Sequence, residues 1–340
     1  MTFLSPSGSS GSSRPSGSAG SPGSLDAAGR SGGAGLPRST RSARAGRPGG
    51  GAWLVLAAAG LWGTTGTTAS LAPEGASALS VGAATMGIGG LLTLALAGRS
   101  VLPVLRRATL GWALAGAAAV VCYPLAFYTA MAWAGVAVGT VVSIGSAPVF
   151  AALLERCCEG LSLSRRWWGA TLAASLGCVL LTLAGDGGTA SGQRPAAGVA
   201  LGVLAGAGYA GYTYCASRVI RRGHPARATM GALFGLGALV LVPVLAVTGG
   251  PLLGSARGLA VVGYLAVVPM CLAYLLFGAG LVRVRTSAAT TLSLFEPLVA
   301  AVLAVLVVDE RLDAWGWFGV ALVALGLTAL TARGSVGRRR

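Results

Sequence analysis

Apolar positions along the chain gather into ten runs of about membrane-spanning length, at roughly 52–70, 77–97, 110–129, 135–154, 167–185, 197–217, 228–248, 258–279, 286–307 and 315–332. A helix that crosses a bilayer needs about 20 largely apolar residues. The pattern therefore predicts an all-α polytopic membrane protein with ten transmembrane helices. The connections are short, so the helices form one bundle. Residues 1–49 break the pattern. They are rich in Gly, Ser, Pro and Arg, carry no apolar periodicity, and read as a disordered cytoplasmic tail. Residues 333–340 form a second, basic cytoplasmic tail.

Composition agrees with this pattern. Of the 340 residues, 54% are hydrophobic and only 10% charged, against about 25% charged in a soluble domain. All 25 basic residues are Arg. With the N-terminus inside, 22 of them fall on the inner face and only Arg194, Arg257 and Arg311 on the outer. Loops rich in Arg stay in the cytoplasm, which places both termini there in a bacterial inner membrane and requires an even helix count. The basic balance does not point to nucleic acid, because the arginines are dispersed over short loops and tails. Trp53, Trp112, Trp133, Trp167, Trp168, Trp315 and Trp317 fall near helix ends, as interfacial residues do, while Trp62 lies within the first run.

The candidate chemistry is sparse. The six cysteines lie mostly in apolar runs, and the adjacent Cys157 and Cys158 suit neither a disulfide framework nor a zinc site. His224, the single histidine, sits in an Arg-rich loop. No metal site, cofactor or nucleotide-binding P-loop is expected. One deep acid with no deep histidine does not make a catalytic pair, so an enzyme is not expected.

The two halves repeat at an offset near 148. GLWG at 60–63 matches GYAG at 208–211, and SIGSAPVFAALL at 143–154 matches LSLFEPLVAAVL at 292–303, superposing Pro148 on Pro297. Trp168 and Gly177 then fall on Trp317 and Gly326. Residues 52–185 and 197–332 form the two repeats, each of five helices. Because five is odd, the second copy enters the membrane from the opposite side. The charges agree: the loop after the fourth run holds Arg156, Arg165 and Arg166, and its counterpart holds Asp309, Glu310 and Asp313 beside Arg311. Inverted repeats with interrupted helices in matching places mark secondary transporters. Pro124, Pro148, Pro269 and Pro297 are the expected helix breaks.

The run FEPLVAAVLAVLVVDERLDAWGWFGVALVALGLTALTAR, residues 295–333, resembles the C-terminal end of the EamA family of the drug/metabolite transporter superfamily. The matching features are Glu296-Pro297, Asp309-Glu310, the glycines 316, 319 and 326, and Trp62-Gly63 near the start. The chain departs from the family pattern at Ala147-Pro148, where an acid–proline pair would stand, at Cys157-Cys158, and at Asp309. The resemblance implies a ten-helix bundle that exports small metabolites, amino acids or drugs. Helices one, three, four, six, eight and nine would surround a cavity, and five and ten would lie outside it.

Glu296 is about ten residues from either end of its run, too deep to reach interfacial water. An acid at that depth is a functional-site candidate by default. No Arg shares its depth, and an acid with no cation beside it is least costly when it carries its proton. Glu296 would bind a proton or the ammonium of a substrate; a protonated Glu hydrogen-bonded across helices is the structural alternative. Pro297 should free a carbonyl one turn earlier, near Ser293. Trp62, Thr65, Tyr123, Tyr128, Tyr212, Tyr274 and Ser293 are the other binding candidates, with Tyr209 a further mid-membrane hydroxyl. Glu155 and Glu159 are expected among the cytoplasmic arginines. The expected partners are a small-molecule substrate and the lipid bilayer, with the protein a monomer or homodimer. A nucleotide-sugar or phosphate-ester carrier and a non-transporting sensor or assembly protein are the rival readings. Deleting residues 1–49 should leave membrane insertion and transport intact, as judged by membrane yield and by the export of whatever compound the full chain moves.

Overall fold

The computed structural model describes residues 50–184, 194–307 and 313–331; the expected tails, Asp309 and Glu310 lie outside the described residues. Every regular element among the described residues is helical. The elements are α1 (Gly50–Trp62), α2 (Thr65–Ala69), α3 (Ala78–Ala97), α4 (Arg107–Ala134), α5 (Val136–Glu159), α6 (Arg165–Ala184) and α7 (Pro195–Arg221). They continue with α8 (Ala226–Thr248), α9 (Gly250–Leu253), α10 (Ala256–Leu265), α11 (Ala273–Leu281), α12 (Thr286–Leu292), α13 (Phe295–Val307) and α14 (Ala314–Thr331). Among the described residues, eight helices are long and apolar enough to cross a membrane. The first apolar run is divided into α1 and α2, of 13 and 5 residues, each too short alone. The sixth is a continuous helix, α7, whose apolar residues are diluted by glycine and tyrosine.

The prolines do not all act as expected. Pro124 lies inside the continuous 28-residue α4, and Pro148 inside the continuous 24-residue α5. Each removes one backbone donor without ending its helix, a loss that packing against neighbouring helices tolerates. Pro269 sits in a π-helical segment, Ala266–Leu272, that joins α10 to α11. The wider turn absorbs the missing donor and the ring. Only Pro297 accompanies a full break. It occupies the third position of α13, inside a first turn whose amides have no helical acceptor anyway.

Helix pairing maps onto itself when the two halves are exchanged. α3 packs against α8, and α6 against α14, each pair joining counterparts of the repeat. α4 packs on α7, and its mirror image is α11 on α1. The same symmetry reaches individual backbones. A Cβ on Gly177 of α6 would lie 2.7 Å from the Gly319 carbonyl, and one on Gly326 of α14 would lie 2.6 Å from the Ala170 carbonyl. Gly177 and Gly326 are repeat counterparts, as are Ala170 and Gly319. Small residues that let backbones touch are how helices associate where lipid removes the hydrophobic drive between them.

The outer surface is apolar. Leu172, Leu183, Val247, Leu306 and Leu325 are all exposed, as are Trp53, Trp168, Trp315 and Trp317. Such a surface suits hydrocarbon with aromatic residues near its edges. Trp167, by contrast, is buried.

Gly177→Leu should force α6 and α14 apart and lower the thermal midpoint of the purified protein, by a destabilisation of about 1–3 kcal/mol. Gly169→Ala on the same helix meets nothing within 4 Å and should leave the midpoint unchanged or slightly raised.

Candidate functional site

Two interrupted helices meet at the centre of the bundle. At the first break, α1 closes with Gly63 N donating to Ala59 O at 3.0 Å and Thr64 N to Leu61 O at 3.2 Å. The Thr64 hydroxyl donates to the same Leu61 carbonyl at 2.7 Å. At the second, Leu294 N donates to Thr291 O at 3.1 Å and Glu296 N to Ser293 O at 3.0 Å. The carbonyl that Pro297 was expected to free is thus taken up by the Glu296 amide in a tight turn. A Cβ on Gly63 would stand 2.7 Å from the Val299 side chain and 3.0 Å from the Glu296 carbonyl. Glycine at 63 therefore lets one broken helix lie directly on the other.

A cavity opens beside this crossing. Its volume is about 80 Å³. Glu296 lines it from the first turn of α13, and Trp62 and Thr65 line it from either side of the α1–α2 break. Tyr123 and Tyr128 come from α4, Tyr209 and Tyr212 from α7, and Tyr274 from α11. Seven of the eight expected binding residues are therefore brought together: Glu296, Trp62, Thr65, Tyr123, Tyr128, Tyr212 and Tyr274. Ser293 is the exception. It is buried, does not line the cavity, and turns its hydroxyl back to the Thr290 carbonyl at 2.8 Å.

The aromatic rings form a continuous wall. Tyr123 stacks on Phe127 with centroids 5.6 Å apart, and Phe127 meets Tyr128 edge-on at 5.2 Å. Trp62 packs on Tyr274 at 4.9 Å and on Phe277 at 5.2 Å. The Tyr212 and Tyr274 hydroxyls share a hydrogen bond of 2.8 Å. Gly82 in α3 makes room for Tyr128, since a Cβ there would fall 2.0 Å from the tyrosine ring.

Glu296 has no cation beside it. Among the described residues, no Arg or His lines the cavity. Among the described residues, the ion pairs belong to Glu159, which meets Arg218 at 3.2 Å and also pairs with Arg221. The Glu296 carboxylate makes no hydrogen bond or ion pair to the described residues. It is the second residue of α13, where the helix dipole favours negative charge. It lies near enough to Tyr123, Tyr128, Tyr209 and Tyr274 to act on them electrostatically.

Glu155 corrects an expectation. It does not stand among the surface arginines but is fully buried. Its carboxylate accepts from the Ser287 hydroxyl at 2.6 Å and the Ser287 amide at 3.3 Å. Ser287 belongs to α12, whose residues are all buried. The Thr291 hydroxyl on the same helix meets Thr171 of α6 at 2.9 Å. A buried polar seam thus fixes α12 between α5 and α6. Five cavity residues were also missed: Thr85 and Met86 of α3, Phe127 of α4, Ile144 of α5, and Met270 of the π-helical segment. Apart from Thr85, none is polar enough to stand out in an otherwise apolar run. Neither α6 nor α14 contributes a lining residue.

The fold and both repeats match known proteins. Residues 49–183 and 196–332 each match the profile of the EamA-like transporter family. The chain belongs to the EamA-like transporter family. It is therefore a multi-pass membrane transporter of the drug/metabolite transporter superfamily. A Bacillus subtilis (strain 168) protein described as the uncharacterized transporter YwfM is 40% identical over 280 residues, covering 82% of this chain and 92% of its own. A solved crystal structure superposes with a TM-score of 0.70 at 20% identity, over 83% of this chain and 96% of its own, and shares the fold.

Replacing Glu155 with Leu should strand the Ser287 amide and hydroxyl, at a cost of about 1–3 kcal/mol. Glu155→Gln keeps an acceptor and should recover most of that loss. Thermal midpoints of the two purified variants against wild type test the order.

Proposed function

We propose that this EamA-family protein is a secondary transporter that exports a small metabolite, an amino acid, amine or drug-like compound, by alternating access. Ten spans cross a bacterial inner membrane as two inverted repeats, with both termini in the cytoplasm. The broken α1–α2 pair and the long α7 supply the two spans beyond the eight that qualify by length and apolarity.

The observation that carries this reading is the unpartnered carboxylate of Glu296 at the meeting point of two broken helices. Irregular backbone at membrane depth is tolerated where it lines a cavity or is buried in protein, and an acid there marks a path for substrate or protons. Thr85 and Met86 lie in the early part of α3, and Tyr123 to Tyr128 in the later part of α4. With the termini inside, both stretches are in the outer half, so the cavity opens outward. The Tyr212–Tyr274 pair and the buried α12 close its inner end.

Export then follows from competition for one acid. A proton arriving from outside converts the Glu296 carboxylate to the neutral acid and releases a bound cation outward. Reorientation exposes the same group to the cytoplasm, where it gives up the proton and accepts the next cation. Opening inward requires α12 to leave the Glu155 carboxylate. A carrier of phosphate esters is the weaker reading, since anionic substrates want basic groups and, among the described residues, no Arg lines the cavity.

Cells expressing wild type or Glu296→Gln, loaded with a panel of amino acids, amines and toxic analogues, test the proposal. At least one compound should leave faster with wild type, and the correctly inserted Gln variant should lose at least tenfold of that rate. Export undiminished in the variant at equal membrane levels would show that Glu296 is structural.

A further inference from the structure

Resting on the alternating-access reading, we infer that the two helix breaks change places with their repeat counterparts during the cycle. In the opposite state α7 breaks at Gly211 and α5 at Gly145, while α1–α2 and α12–α13 each close into one helix. Gly211 and Gly145 are therefore hinge residues, although each lies inside a continuous helix in this structure.

The register of the repeat picks out both positions. Gly63 and Thr64 form the turn between α1 and α2, and Ser293 and Leu294 the turn between α12 and α13. GLWG at 60–63 aligns with GYAG at 208–211, so Gly211 stands where Gly63 stands. SIGSAPVF at 143–150 aligns with LSLFEPLV at 292–299, so Gly145 stands where Leu294 stands. Each break is thus matched, in the other repeat, by an unbroken helix with glycine at the same point. Glycine inside a helix is destabilising relative to alanine, and packing does not explain these two. A Cβ on Gly145 would meet nothing within 4 Å, and one on Gly211 would reach the Ala119 Cβ at an ordinary 3.4 Å. Gly63 differs, because its Cβ would press on Val299 at 2.7 Å. Unpacked glycines also occur at 111, 169 and 263. Those three are exposed, and none is the counterpart of a break.

The segment after Gly211 has a further peculiarity. Thr213 is the counterpart of Thr65, which lines the cavity from α2. Thr213 is fully buried and its hydroxyl has no partner, and the same holds for Ser217 one turn on. Unpartnered buried hydroxyls are costly. A break at Gly211 turns this segment into the match of α2 and brings both hydroxyls to water. In the present state a tie beyond the two hinges holds the helices together. Glu159 at the end of α5 meets Arg218 of α7 at 3.2 Å and also pairs with Arg221.

Hydrogen–deuterium exchange of the full-length protein in lipid nanodiscs tests the inference without any substrate. Transient breaking at Gly211 frees the amides that follow it, so exchange over 212–216 reports how often the opposite state is visited. Gly211→Ala and Gly145→Ala both fit the structure as it stands and should not lower the thermal midpoint. Each should slow exchange over 212–216 by about two- to fivefold, the equilibrium change that one glycine inside a helix is worth. Local stiffening alone would let Gly211→Ala do this, so the deciding variants are on other helices. Gly145→Ala slows exchange over 212–216 only if the hinges of α5 and α7 work together. Gly63→Ala strains the crossing with Val299 in the present state and should speed exchange there, the opposite sign at the matching position. Gly169→Ala should leave it unchanged. No effect of Gly145→Ala over 212–216, slowing by Gly63→Ala, or equal slowing by Gly169→Ala overturns the hinges. If Glu296→Gln loses export while exchange is the same in all variants, the transport reading stands and the hinges fall. If the exchange pattern is as expected while Glu296→Gln exports undiminished, the hinges stand and the role of Glu296 falls.

Discussion

A peptide group in hydrocarbon has no water to bond with, and that constraint governs where this chain can be irregular. Helices facing outward run without interruption, while the full breaks fall where α1 gives way to α2 and α12 to α13, beside the cavity. The π-helical segment at Pro269 also borders it. Each break still satisfies its backbone. Thr64 bonds back to Leu61 by amide and hydroxyl, and the Glu296 amide covers the Ser293 carbonyl. The irregular backbone is therefore a way of presenting side chains at mid-depth without leaving peptide groups bare.

Glu296 shows what such a break can offer. In an unbroken helix its carboxylate would sit mid-span, far from either helix end. The break makes it the second residue of a new helix, at the end where the helix dipole favours negative charge. The helix end takes the part that a basic side chain plays elsewhere. It does so without filling the cavity, so the space in front of the acid stays open to a ligand. Glu155 is the contrasting case. Ser287 occupies its carboxylate, and no room remains.

Much of this arrangement was legible in the sequence because hydrocarbon imposes a coarse rule, about 20 apolar residues per crossing. The position of Glu296 beside Pro297 was legible for the same reason, since both residues are costly at that depth. The break after Trp62 was harder to read. It has no proline; the signal was the run Gly63, Thr64, Thr65 and Gly66, which a packed helix could also carry. Pro124 and Pro148 looked equivalent to Pro297 but lie within continuous helices. A single missing donor does not end a helix, and the outcome depends on neighbours far away in sequence. Glu155 was misjudged because the residue after it is Arg156. Successive residues on a helix differ by about 100° in direction, so one side chain can face the interior while the next is exposed.

The crossing of α6 and α14 stands apart from the cavity, yet it also joins the two halves closely. At its closest points the contact is backbone against backbone, through Gly177, Gly319 and Gly326. The side chains beside these glycines, Val323 and Ala174 among them, are short and have few alternative positions. A joint of that kind has few internal settings. Whatever rearranges around Glu296, this pair can tilt as a rigid axle but cannot act as a gear, and the teeth of the machine have to be sought on the other helices.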